Sequence, residues 1–190
     1  MYDIPGLTSP RVQKFLNGIW KEANSYLEIG SYLGATSVAA LDGNKLNAYF
    51  VDMWEQPIQT ARDDLEYLPP NSKETFVSNV KKYKGKNSIN IFDCDMFKVD
   101  TSELKNIDVF FYDGPHDFEN TSNAVQYYAN TFAKDAILIF DDANFEGVVD
   151  GANDGLIKSN LEVKYTNVIF TDPIENKEEL WNGLYIVNIK

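Results

Sequence analysis

The chain contains one cysteine, one histidine and no apolar run of membrane-spanning length in its 190 residues. Cys94 has no partner for an internal disulfide, and one Cys with one His cannot build a typical structural zinc site. A reducing, cytoplasmic setting fits. Met1-Tyr-Asp-Ile-Pro-Gly6 offers neither the basic nor the apolar region of a secretory leader, so no membrane association is expected. Basic residues are also scarce, 17 against 29 acidic ones, and Lys81-Lys82 is the longest basic run. A net charge of -12 repels nucleic-acid backbones and anionic lipid, which removes both as expected partners. What is present, 44% apolar and 14% aromatic residues, suffices for a single globular domain over 1–190 with a sizeable core.

Apolar spacing predicts alternating strands and helices. Ser9-Pro10 starts a helix carrying Val12, Phe15, Leu16, Ile19 and Trp20 on one stripe, within an N-terminal segment 1–24. Strands are expected at Ser25–Ile29, Ala48–Asp52, Ser88–Phe92, Ile107–Tyr112 and Ala136–Phe140, the third and fourth apolar enough for a buried parallel sheet. Helices are expected at Gly34–Leu41 and Lys73–Tyr83, along Phe118, Ser122, Val125, Ala129 and Phe132, and along Phe145, Val148, Val149, Ala152 and Leu156. Residues 54–70, acidic and bracketed by Pro57 and Pro69-Pro70, read as an insertion near the site with a helical stretch around Thr60–Tyr67. Leu161–Phe170 and Gly183–Ile189 predict a closing antiparallel hairpin. The fold class is α/β, Rossmann-like, with a mostly parallel sheet.

The most informative stretch is Tyr26-Leu-Glu-Ile-Gly-Ser-Tyr-Leu-Gly-Ala-Thr-Ser37, a strand that turns through two glycines into a helix. Gly30 suits the positive φ of a tight turn, and Gly34 lets the helix approach the sheet. Dinucleotide loops place a further glycine where Tyr32 stands, so a diphosphate is disfavoured. Glu28 would repel phosphate but can accept from an ammonium group or from hydroxyls.

Glu-Ile-Gly-Ser-Tyr-Leu-Gly resembles motif I of class I S-adenosylmethionine-dependent methyltransferases, especially the catechol and caffeoyl-CoA type O-methyltransferases. The resemblance implies a seven-stranded sheet with an antiparallel last strand and a cofactor site on Glu28, Gly30, Ser31, Tyr32 and Gly34. Asp52, 22 positions after Gly30, is placed to accept the ribose hydroxyls. Asp95 resembles the acid that accepts the adenine amino group, with Asp93 competing for that role and Met53, Met96 and Phe97 beside the ring.

Acids close every one of the five strands: Glu28, Asp52, Asp93 with Asp95, Asp113, and Asp141-Asp142. Ligands of open α/β sheets bind at these ends. Tyr112-Asp-Gly-Pro-His-Asp117 resembles the "DG-x-H" segment of a bacterial methyltransferase family and aligns with the magnesium-binding Asp of catechol-type enzymes. Asp113 is then a metal, cofactor and catalytic candidate, and His116 stands where those enzymes carry a catalytic lysine. Their Asp-Asn metal pair is Asp141-Asp142 here. Three converging carboxylates repel one another until a proton or a hard cation relieves them, and oxygen ligands favour magnesium, calcium or manganese. Capping of the following helix by Asp142 or Asn144 is the competing reading.

The expected activity is methylation of a hydroxylated small molecule with His116 as general base. The rivals are metal-independent transfer to nitrogen or to a sugar hydroxyl, and a catalytically silent cofactor-binding or scaffold domain; NAD-dependent redox chemistry is disfavoured by Tyr32. A homodimer is compatible with the sequence, which leaves oligomeric state open.

Overall fold

The computed structural model describes residues 2–19, 23–54 and 71–190. Its elements are α1 (Pro10–Ile19), β1 (Ser25–Ile29), α2 (Ala35–Leu41), β2 (Asn47–Asp52), α3 (Ser72–Lys82), β3 (Ser88–Asp93), β4 (Ile107–Tyr112), α4 (Phe118–Tyr128), β5 (Phe132–Asp141), α5 (Glu146–Lys158), β6 (Val163–Ile169) and β7 (Leu184–Ile189). Trp20 and residues 55–70, with their expected helical stretch, lie outside the described residues.

One seven-stranded sheet has the order β3-β2-β1-β4-β5-β7-β6. The five strands from β3 to β5 run parallel, and β7 pairs antiparallel with both β5 and β6. The chain starts in the middle at β1, winds outward to β3, then returns to β4 on the other side. That reversal opens a crevice at the carboxyl ends of β1 and β4. Apolar clusters cover both faces: Phe110, Tyr112, Tyr128, Phe140 and Val148 on one, Val12, Leu16, Val38, Phe50 and Phe76 on the other. Among the described residues no helix is long and apolar enough to cross a membrane.

Local rules explain most boundaries. Ser9 caps α1, its Oγ accepting from Val12 N–H at 3.2 Å. Asp117 caps α4 by accepting from Asn120 N–H at 2.9 Å. The helix expected through Phe132 ends sooner: a 3-10 turn, Ala129–Thr131, intervenes and Phe132 opens β5 opposite Ile107. A helical stripe and the start of a strand share the same apolar spacing there, and strand pairing wins. Phe118 is exposed rather than part of the buried stripe. β3 is half-buried rather than buried, because it lies at the sheet edge. The packing of α4 on α5 depends on close approach, since a Cβ on Gly151 would sit 2.5 Å from Phe118 O and one on Gly155 2.7 Å from Ser122 O.

Candidate active site

The β1–α2 turn is built around its two glycines. Gly30 has φ +82°, and a Cβ there would lie 1.9 Å from the Asp113 carbonyl oxygen, so the turn can press against the end of β4 only without a side chain. Gly34, at φ +91°, would push a Cβ to 3.1 Å from the Phe76 ring. Tyr32 also takes a positive φ, 45°. Asp52 holds this turn from the neighbouring strand: its Oδ2 accepts from Ser31 N–H at 2.9 Å and Tyr32 N–H at 2.8 Å, and its Oδ1 from Trp54 N–H at 2.9 Å. Trp54 closes the loop by donating its indole N–H to Tyr32 O at 2.7 Å. Three of the four acceptor positions on the Asp52 carboxylate are thereby taken by backbone, leaving room for one ligand hydroxyl rather than two.

Glu28 occupies a different place from an open acceptor. It is fully buried and takes hydroxyl donors from Tyr26, from Thr36 at 2.9 Å and from Ser37 at 2.7 Å, so protein groups take three of its four acceptor positions and burial closes it to solvent. Burial raises its carboxyl to about 7 against the lowering effect of those three hydrogen bonds. The residue ties β1 to the first turn of α2 beneath the loop.

After β3, Asp95 caps a 3-10 turn by accepting from Phe97 N–H at 2.8 Å, and Met96 O accepts from Tyr128 OH. Its rival Asp93 is ion-paired with Lys73. Met53 is exposed beyond β2, whereas Met96 and Phe97 pack partly into the core.

The ends of β4 and β5 bring together Asp113, His116 and Asp142, with one ligand atom from each lying within 4.8 Å of the others. His116 Nε2 is 2.7 Å from Asp142 Oδ2 and 3.8 Å from Asp113 Oδ1. Burial would lower the imidazole pKa, but the close contacts with Asp113 and Asp142, whose charges favour the cation, outweigh it and push it up to about 10. Burial in turn raises Asp113, opposed by its interaction with His116. Phe145 stacks on His116, with ring centroids 5.2 Å apart and planes at 16°.

Asp141 is not one of the three converging donors: it is the last residue of β5, and the chain turns immediately after it, at Asp142 with φ 57°. The Asp141 carboxylate is buried, accepts Asp142 N–H at 3.0 Å, and is raised well above the ordinary range by burial and then by its acidic neighbours. Capping of α5 by Asp142 or Asn144 is not observed either: no side chain caps that helix, and the Asn144 amide instead bonds Thr171 O and N–H at 2.8 and 3.0 Å.

Phe145, which the sequence places both on the helix stripe and in a loop lining the acceptor pocket, is exposed and stacks on His116 rather than entering the core. One contributor escaped sequence reasoning. Asn182, 40 positions from Asp142 in the chain, donates to Asp142 Oδ1 at 2.5 Å, and no local pattern signals such a contact.

Residues 27–143 match the model of a family described as a methyltransferase domain. No curated protein sequence matches the chain. Among solved structures, an O-methyltransferase from Bacillus cereus in complex with SAH superposes with a TM-score of 0.68 at 15% identity, covering 96% of this chain and 82% of that one. The O-methyltransferase TomG from Streptomyces achromogenes, in complex with SAM, gives 0.65 at 11% identity over 96% and 81%. Fibrillarin from Aeropyrum pernix, with natively bound S-adenosyl-L-methionine, gives 0.61 at 17% identity over 94% and 74%. With a family match across more than half its length, and a 3-2-1-4-5-7-6 sheet that superposes on these solved structures, the chain belongs to the methyltransferase-domain family.

Proposed function

We propose that the protein transfers the methyl group of S-adenosylmethionine to a hydroxyl of a small molecule, with His116 as the proton acceptor. The observation that carries this reading is the His116–Asp142 contact at 2.7 Å, placed at the switch point beside the glycine turn. Likeness in fold to O-methyltransferases from Bacillus cereus and Streptomyces achromogenes supports an oxygen acceptor.

The residues present fit the cofactor. Gly30 lets the turn close against the end of β4, Asp52 retains one acceptor position, and the buried Ser31 hydroxyl has no hydrogen-bond partner, an unmet group in the loop itself. Gly30, Ser31, Tyr32 and Gly34 would hold the amino-acid end, Asp52 a ribose hydroxyl, and Asp95 the adenine beside Met53 and Met96. When bound, S-adenosylmethionine supplies an electrophilic methyl on a sulfonium. Glu28 supports the turn from below.

A magnesium ion held by Asp113, Asp141 and Asp142 does not fit. The group that converges contains an imidazole nitrogen in place of the third carboxylate, whereas magnesium takes oxygen ligands. The charge that three acids would demand of a cation is partly met by the His116 imidazolium. Proton removal is therefore assigned to His116 alone. Both carboxylates face Nε2, so the acceptor proton passes to Nδ1 while Asp142 steadies the resulting cation, in the manner of a His–Asp pair. His116 must first be neutral, and its proton leaves more readily once a second cation shares the field of Asp113 and Asp142. Phe145, stacked on the ring, shields that face from water.

The test is transfer of labelled methyl from S-adenosylmethionine to a panel of phenols, aliphatic alcohols and amines, with products identified by mass. O-methyl products that fall about 10²–10⁴-fold in His116→Ala support the reading. N-methyl products alone, or turnover unchanged in the variant, would overturn it.

A further inference from the structure

We infer that Asn182 is a positioning residue whose side-chain amide sets which way the Asp142 carboxylate faces and so holds Asp142 Oδ2 against His116. Asn182 is buried two residues before β7, at the end of the long β6–β7 connection. Its Oδ1 accepts from Glu175 N–H at 2.7 Å. A backbone N–H can only donate, so the amide orientation is fixed and Nδ2 must point the other way, at Asp142 Oδ1, 2.5 Å distant. With Oδ1 held, Oδ2 is the oxygen left to face His116 at 2.7 Å.

The surrounding backbone makes this a rigid frame. Asp142 stands at φ 57°, in the left-handed region that Asp enters more readily than most residues, and hydrogen bonds on either side of it hold the turn. Asn144 N–H donates to Asn182 O at 2.8 Å and Ala143 N–H to Gly183 O at 3.3 Å, so the residues after Asp142 are bonded to those around Asn182. Gly183, at φ +84°, allows this approach, since a Cβ there would fall 2.6 Å from Asn144 Oδ1. The β6–β7 connection thus reaches the site through one amide, forming a continuous line from Glu175 N–H through Asn182 and Asp142 to His116.

The inference rests on the reading of His116 as proton acceptor, and the test separates the two. His116 is the only histidine, so its ring N–H is identified in a ¹⁵N-labelled sample without ambiguity. The informative variant is Asn182→Asp, which keeps an acceptor for Glu175 N–H but removes the donor to Asp142. Bound S-adenosylhomocysteine and circular dichroism check that it folds, and Asp142→Asn serves as the reference for a lost contact. Solvent exchange of the His116 N–H should quicken at least tenfold in Asn182→Asp, approaching Asp142→Asn, as expected for a weakened charged hydrogen bond. An exchange rate equal to wild type in a folded Asn182→Asp, while Asp142→Asn changes it, would overturn the inference. Should Asn182→Asp not fold, Asn182→Ser, which retains a smaller donor and acceptor, is read on the same scale. Failure of the base reading shows separately, as unchanged methyl transfer in His116→Ala.

Discussion

His116 and Asp142, on the loops after β4 and β5, form an ion pair with Nε2 and Oδ2 2.7 Å apart. Their strands are neighbours in the sheet, Tyr112 pairing with Phe140, so the contact follows directly from parallel register. The pair sets the proton state of the site, and its consequences can be measured without knowing the acceptor.

The His116 ring should titrate well above 6.5, towards about 10, because two carboxylates stabilise its cation. Asp142→Asn removes the nearer charge and should bring the midpoint down towards 6.5. Stability follows the same sign: the raised pKa gives stability that is full below 6.5 and lost as pH rises towards 10, so wild type and variant should converge at high pH. An NMR titration of the single histidine reads the midpoints. Equal midpoints in the two proteins would mean that the pair does not form in solution.

Glu28 offers a second titration of the same sign at lower pH. Its carboxyl is raised from 4.5 to about 7, so the folded protein binds a proton that the unfolded chain releases, and stability falls as pH rises from about 4.5 to 7. The loss attributable to this residue is roughly 3 kcal/mol by the energy of a pKa unit. Glu28→Gln keeps an acceptor for Thr36 and Ser37 and should flatten that slope. Urea unfolding at pH 5 and pH 7.5 makes the comparison, and parallel slopes in wild type and variant would sink the assignment.

Gly30 and Gly34 should respond unequally to alanine. At Gly30 the new Cβ meets a backbone carbonyl that cannot swing aside, which calls for a loss above about 4 kcal/mol. At Gly34 it meets a ring edge at 3.1 Å that can shift, so the cost is dominated by the left-handed backbone, roughly 1–2 kcal/mol. Denaturant midpoints of the two variants decide it, and equal losses would show that the turn is not wedged against β4.

Much of this arrangement is legible in the sequence because it is local. The strand from Ser25 to Ile29 and the one from Ile107 to Tyr112 have the expected bounds, since apolar runs ending in an acid or a glycine turn are signals within a few residues. The order of the sheet and its antiparallel β7 agree with the family resemblance. The departures occur where geometry between distant segments decides. Asp141 and Asp142 are adjacent in sequence and equivalent in chemistry, yet only Asp142, past the strand end at φ 57°, joins Asp113 and His116 as a converging donor. Glu28 stands at the right position to meet a ligand, but it is buried, with Thr36 and Ser37 from the next helix on its Oε1 and Tyr26 on its Oε2. Asn182 is invisible until the β6–β7 connection folds back over β5.

Magnesium should leave the melting temperature unchanged, because the converging donors are two carboxylates and a nitrogen already paired with one of them. Thermal shift at millimolar magnesium is the check. A rise that disappears in Asp113→Asn or Asp142→Asn would instead establish a metal at this point, and one that disappears in Asp141→Asn as well would place it on the three acids the sequence suggested.

The most direct test of the account is calorimetric titration of S-adenosylhomocysteine into wild type and Asp52→Ala. Saturable one-to-one binding is predicted for wild type. Asp52→Ala should weaken it at least tenfold, since the variant loses a ligand hydroxyl's acceptor, worth roughly 1.5–3 kcal/mol, and also releases the N–H groups of Ser31, Tyr32 and Trp54 that shape the turn. Equal affinities in the two proteins would remove Asp52 from the cofactor site, and no binding by wild type would contradict the cofactor assignment altogether.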